Sequence, residues 1–390
     1  ISANMRLGQS VHAQRLMRFA ESDAAPDSMK LEALESLATW NASPFIDRVV
    51  GRVRVLKGRN PLAAKSVLRE GFQPVVHRAE GALRSDLLKL AARHEIEVDQ
   101  SILAEWVISD GMEPATRVRA LARLTDSNDP GLLEIIGAVI SSEHIDLRIQ
   151  AMRSWALVNQ SQFIDYFNMN SSEWSVAEKQ IALDLLGGMH TERSADILRD
   201  LMMDLQQGSL DSSLELDLLT ASVKHGDAEL KSQVKTYRET RSETYPPGLL
   251  QGGHYDRGRI IFDDHVAGQC IRCHDAGGAD KQVGPALKGI GQTRDRAYLL
   301  ESLVNPSAAL AEGYALTMIG LKEGGAQAGR VVTETSTDLT FIKVTGETVR
   351  YDKSDVMTRT VVKASSMPPM LGILTPFELR DLVEFLVTWE

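Results

Sequence analysis

Along the first 240 residues, apolar side chains recur every three or four positions, as in Leu31, Leu34 and Leu37 and again in Val118, Leu121 and Leu124. That spacing puts each set on one face of an α-helix. Proline is sparse here and alternation of β-branched residues is rare, so the pattern predicts helices from Ile1 to about Thr240 and no strands. Polar breaks such as Asp126-Ser127-Asn128-Asp129-Pro130 supply the turns.

An internal repeat emerges when the helices are aligned. Thr116-Arg117-Val118-Arg119-Ala120-Leu121 recurs as Leu147-Arg148-Ile149-Gln150-Ala151-Met152 and, more weakly, as Glu178-Lys179-Gln180-Ile181-Ala182-Leu183. Ala120, Ala151 and Ala182 are spaced 31 residues apart. A small residue at a fixed point lets neighbouring helices approach closely, and a period of roughly 30–40 residues marks a stacked array of helix pairs. The repeat resembles the HEAT family, which implies an α-solenoid over residues 1–243.

The texture changes at Thr244-Tyr245-Pro246-Pro247-Gly248, closely followed by Gly252-Gly253, where Pro and Gly together stop a helix. A second domain is expected over 244–390. It reads as a helix from about Asp256, a loop, a helix at Ala297–Val304, a strand-rich insert at about 314–362, and a closing helix from Thr375 to Trp389. In the insert, Tyr314 to Leu321 alternates, Lys322-Glu323-Gly324-Gly325 turns, and Gly329 to Thr333 resumes. Leu339 to Val344, Thr345-Gly346 and Thr348 to Tyr351 read as a hairpin. The predicted product is a small β-meander or barrel. Met318 is expected in its core, and Met357 in a polar turn after Lys353-Ser354-Asp355. In the closing helix Leu379, Leu382, Val383 and Leu386 share a face that Phe385 and Trp389 widen.

Composition adds mostly exclusions. The balance of 43% hydrophobic and 25% charged residues is that of a globular protein, and the formal charge of -10 has no basic stripe, against a nucleic-acid surface. No apolar run approaches the roughly 18–20 residues of a transmembrane helix. The chain begins at Ile1 without a charged-then-apolar signal pattern. Ile1 is therefore expected to be a processed or trimmed start, with sequence upstream a live possibility.

The two cysteines of the chain both fall in Cys270-Ile271-Arg272-Cys273-His274. A thioredoxin-like redox pair would want a strand before the motif and a helix after it. A zinc site needs four ligands, and there is no second Cys pair. For covalent attachment of one c-type haem the pentapeptide is complete: two thiols for the porphyrin vinyl groups and an adjacent His for the iron. Candidate sixth ligands are Met318, Met357, Met367 and Met370, with His254 and His265 as a bis-His alternative. Met367 is preferred and Met370 kept as its rival, because Met367-Pro368-Pro369 forms an extended loop able to present a thioether.

These residues resemble the c-type cytochromes. Arg257-Gly258-Arg259-Ile260-Ile261-Phe262 is similar to the family's opening helix, Gly284-Pro285-Ala286-Leu287-Lys288-Gly289 to the loop after its haem motif, and Met367-Pro368 to its ligand loop. With Asn305-Pro306-Ser307 and the β-insert, residues 250–390 resemble the haem-binding domain of planctomycete-type cytochromes, often fused behind helical repeats and a sugar-dehydrogenase-like propeller. The resemblance implies His274 and Met367 as iron ligands and a Pro285 carbonyl that orients the imidazole. It also implies a periplasmic or extracytoplasmic location and a redox or dehydrogenase partner. The expected function is electron transfer by a single-haem module that is not catalytic by itself. A haem enzyme or gas sensor with a labile sixth ligand, and a helical-repeat interaction scaffold, are the alternatives.

Overall fold

The computed structural model describes residues 1–41, 45–47, 51–54, 61–127, 130–240, 248–274 and 283–390. Asn128, Asp129 and the Thr244–Pro247 break lie outside them. The chain is mainly helical, with a small antiparallel sheet near its C-terminus, and divides into two compact units, Ile1–Asn168 and Met169–Glu390.

In the first unit α1 is Ser2–Leu7, α2 Ser10–Ala20, α3 Asp27–Ala38, α4 Pro61–Arg78, α5 Ala82–Arg93 and α6 Gln100–Ile108. Helices α7 (Pro114–Asp126), α8 (Leu132–Val139) and α9 (Ile145–Val158) follow, and α10 (Gln160–Asn170) runs two residues past the unit's end. Several alternate helices pack on one another: α3 on α5, α5 on α7, α7 on α9, and likewise α2 on α4 and α6 on α8. Ala120 and Ala151 are fully buried at corresponding points of α7 and α9, beside buried Leu121 and Met152.

The expectation of no strands before Thr240 is corrected by a short hairpin. Phe45–Asp47 (β1) pairs antiparallel with Arg52–Arg54 (β2), Ile46 opposite Val53. β-Branched residues favour the extended chain, and Gly51 takes the left-handed φ of 65° that the turn requires. Three-residue strands are too short to leave a legible alternation.

The second unit opens with α11 (Val176–Met189), α12 (Glu192–Gln207), α13 (Glu215–His225) and α14 (Ala228–Glu239). Here too α11 packs on α13 and α12 on α14, with Ala182 of α11 fully buried. Then come α15 (Tyr255–Asp264), the single turn α16 (Cys270–Cys273) and α17 (Arg296–Val304). Strands β3 (Leu316–Leu321), β4 (Ala326–Glu334), β5 (Asp338–Lys343), β6 (Thr348–Asp352) and β7 (Val356–Val362) lead to α18 (Pro376–Thr388).

The expected boundary at 243/244 lies inside this second unit, because α13 shares a core with the C-terminal helices. Leu216 joins Leu249, Phe262, Leu300, Leu382 and Phe385 in one apolar cluster. Arg380 of α18, 1% exposed, makes a two-pronged ion pair with Asp217 of α13 at 2.5 and 3.3 Å. Gln180 of α11 donates to the carbonyls of Ser213 and Gly252 at 3.1 and 2.9 Å. Helices α15 and α18 cross closely at Gly258, where a β-carbon would strike the Asp381 carbonyl oxygen. Phe262, Phe385 and Trp389 pack ring on ring beside the crossing, with centroids 4.9–5.5 Å apart.

The sheet runs β6-β5-β4-β3-β7, antiparallel throughout. It is a meander from β3 to β6 whose last strand returns to the free side of β3, and β6 and β7 are its two edges, so it is an open sheet and not a barrel. Lys353–Asp355 forms the expected turn, but Met357 lies beyond it, on β7, and is 68% exposed. Strand β7 is exposed on both faces apart from its ends, which erases the alternation that marks a strand in sequence. Met318 is not core: Thr317 and Ile319 are the buried residues of β3, and Met318 points to the other face.

Candidate functional site

In the second unit the short α16 stands on a left-handed backbone step at Gln269, φ 44°, that turns the chain out of the preceding loop. One helical turn then sets Cys270 and Cys273 on the same side, both half-buried and both as free thiols. The His274 N–H donates to the Cys270 carbonyl at 2.9 Å. Where the described chain resumes, the Gly284 N–H donates to the Cys273 carbonyl at 2.9 Å, bringing Pro285 against the His274 ring.

The imidazole Nδ1 of His274 lies 2.8 Å from the Pro285 carbonyl oxygen. A carbonyl only accepts, so Nδ1 carries the proton and Nε2 keeps its lone pair for an electrophile. Burial holds the imidazole below its ordinary pKa, against the opposing pull of the Pro285 hydrogen bond. The neutral, metal-ligating form is thus favoured at neutral pH. Burial also pushes the Cys270 and Cys273 thiols up. That is the reverse of the depressed pKa that makes a redox or nucleophilic cysteine reactive.

Both cysteines and His274 open onto a cavity of about 350 Å³, within the size range of small-molecule and cofactor sites. Its walls are largely apolar: Phe262 from α15, Leu287 and Ile290 from the loop after Pro285, Leu299 and Leu303 from α17, and Leu382 and Leu386 from α18. Met367 and Met370 both line it. Met367 is half-buried, whereas Met370 is 3% exposed within the apolar cluster, its N–H donating to the Leu303 carbonyl at 2.8 Å. Met318, Met357, His254 and His265 are not among the lining residues. His265 Nδ1 instead accepts from the Gly268 N–H at 2.8 Å, and its Nε2 lies 3.5 Å from Glu378. Among the described residues no three His, Cys, Asp or Glu side chains gather around a point that could hold a bare metal ion.

The structure therefore brings together Cys270, Cys273, His274, Pro285, Met367 and Met370, six residues that the sequence spreads over a hundred positions. Sequence reasoning missed the wall built by the segment after α17: Pro306, Leu310 and Tyr314, with Tyr298 and Arg294 before it. The Arg294 guanidinium lies over the Tyr298 ring, 4.7 Å from its centroid. Asp295 caps α17 by accepting from the Tyr298 N–H at 2.8 Å. The signal available was the spacing Tyr298, Leu299, Ser302, Leu303, which turns one face of α17 to the cavity. No family model matches this chain, and no curated protein does.

Proposed function

We propose that the chain is a single-haem c-type cytochrome module that carries electrons, with a cytochrome-like haem domain and β-meander insert behind a HEAT-like helical array. The observation that carries the reading is the convergence of two half-buried thiols, an oriented neutral imidazole and a thioether on one apolar cavity. Those residues fit a covalently held haem. Cys270 and Cys273 would form the thioether links, each thiol adding across a vinyl group so that sulfur bonds to one carbon and the proton goes to the other. His274 would ligate through Nε2 and Met367 through its sulfur, with Met370 as the rival.

When bound, the group supplies a reversible one-electron couple, and His/Met ligation raises its potential. The rest is this chain's chemistry. Pro285 fixes the imidazole tautomer, and Leu299, Leu303, Leu382 and Leu386 exclude water, which favours the less charged reduced state. Held by both His274 and Met367, the group would leave no open site for a substrate. The partner is then a redox protein or dehydrogenase, and attachment of this type fits an extracytoplasmic location. The stacking of alternate helices in each unit supports a repeat array as the docking scaffold.

The test is the absorption spectrum of oxidised and reduced protein purified from a host that matures c-type cytochromes, together with carbon monoxide titration. A Met–iron charge-transfer band and a ferrous form that binds carbon monoxide only weakly support the reading. Ready carbon monoxide binding favours a sensor or enzyme with a labile sixth ligand.

A further inference from the structure

The loop that carries Met367 is pinned at three points to one neighbouring stretch of chain. The Leu316 N–H donates to the Ala364 carbonyl at 3.1 Å, which continues the β3–β7 pairing past Leu316 opposite Val362. The Ser365 N–H donates to Ser307 Oγ at 3.1 Å, and the Met367 N–H donates to Ser365 Oγ at 3.0 Å. The Met370 N–H closes the set on the Leu303 carbonyl. All three anchors belong to 303–316, the same segment that walls the cavity through Leu303, Pro306, Leu310 and Tyr314.

The geometry follows from the sheet. Strands β3 and β7 are antiparallel neighbours, so the insert leaves the cavity wall and returns to it within one register step. Met367-Pro368-Pro369 cannot build its own support, since prolines bring no N–H. Its position must come from hydrogen bonds upstream, and the structure offers a chain of two: Ser307 holds Ser365, and Ser365 holds Met367.

We propose that Ser307 and Ser365 are positioning residues that set the Met367 thioether over the cavity, with the β3–β7 pair as the clip that brings them together. Ser307 lies outside the cavity lining and Ser365 borders it; the role assigned to both is exerted through the Met367 backbone. The inference rests on Met367 as the iron ligand, and the experiment separates the two. Ferrous holoproteins carrying Ser365→Ala, Ser307→Ala, Ser365→Thr, Met367→Ala and, as a surface control in the β4–β5 turn, Ser336→Ala are titrated with carbon monoxide. Their reduction potentials and charge-transfer bands are recorded alongside.

Loss of one hydrogen bond worth about 1 kcal/mol raises the Met-detached population about fivefold. Ser365→Ala and Ser307→Ala should each therefore bind carbon monoxide about fivefold more tightly than the parent, with Ser365→Thr and Ser336→Ala at the parent value. If Met367→Ala opens the site and the two serine variants do not move, the positioning role is overturned and the ligand assignment stands. If Met367→Ala itself changes nothing, the ligand assignment falls and takes the inference with it. Should the alanine variants fail to mature, amide exchange at Met367 in the parent protein decides: protection supports the chain of bonds, and exchange at the rate of a free loop overturns it.

Discussion

At Gly284 a β-carbon would stand 2.6 Å from Cε1 of His274 and 2.9 Å from its Nδ1. The residue is glycine for room, so that the chain can pass flat against the imidazole and deliver the Pro285 carbonyl. Gly284→Ala should push the ring off that carbonyl and release its orientation. The expected result is a mixed-spin spectrum and a weaker fifth ligand; a spectrum identical to the parent's would contradict it. Met367 and Met370 are separable by the same logic. Met370→Ala removes a core side chain and should cost about 2–5 kcal/mol in denaturant unfolding while keeping the charge-transfer band. Met367→Ala should lose the band at little cost in stability. The reverse pattern would assign the ligand to Met370. The pentapeptide that ends in His274 was legible because its residues are adjacent in the chain. The partnership of Pro285 with His274 was legible only through the resemblance, since a Gly-Pro pair by itself reads as a turn, and the close approach of Gly284 to the ring was not legible at all.

Helix α18 shows which parts of an element its sequence reveals. Leu379, Leu382, Val383 and Leu386 follow the helical period and are buried as it requires. Arg380 and Asp381 look like a solvated face, yet they are 1% and 3% exposed. Their partners come from elsewhere in the chain: Asp217, 163 residues away, for Arg380, and Arg257, 124 residues away, for Asp381. No local period can announce such a pair. The start of the helix is local and follows the rules. Thr375 accepts from the Glu378 N–H at 3.3 Å, and Glu378 accepts from the Thr375 N–H at 2.8 Å. Thr375→Ala should cost about 1 kcal/mol. Hydrogen bonding to the Thr375 N–H holds the Glu378 carboxyl below its usual range. The folded state therefore binds that proton less readily than the unfolded chain. The carboxylate contributes its full stability above about pH 4.3, the unfolded value, and loses it as pH falls through the lower folded value. Glu378→Gln should flatten that acid limb of the stability curve, and an unchanged limb would refute the role. Strand β7 marks the opposite case, an element exposed on both faces whose residues carry no pattern to read.

Across the whole molecule, the helical character of the chain before Thr240 and the strand-rich insert were both visible in the sequence, the first from its period and the second from its alternation. The grouping of α11–α14 with the C-terminal helices was not. It depends on the buried Arg380–Asp217 pair and on Leu216 entering the C-terminal core, contacts made after folding between segments of different texture. Removing one partner leaves the other charged and buried, so Asp217→Asn or Arg380→Met should each cost about 3–5 kcal/mol. Hydrogen exchange should then rise together in α13 and α18. A rise confined to α18 would show that α13 is not part of the same cooperative unit.

The central claim is that Cys270 and Cys273 hold a haem covalently, and the most direct measurement is the mass of the intact, denatured and reduced protein after expression with c-type maturation. The account predicts the polypeptide plus one haem, resistant to acid–acetone extraction, and lost in a Cys270→Ala/Cys273→Ala variant. An unmodified mass with both thiols free to alkylation, from a strain that matures a control cytochrome, would contradict it.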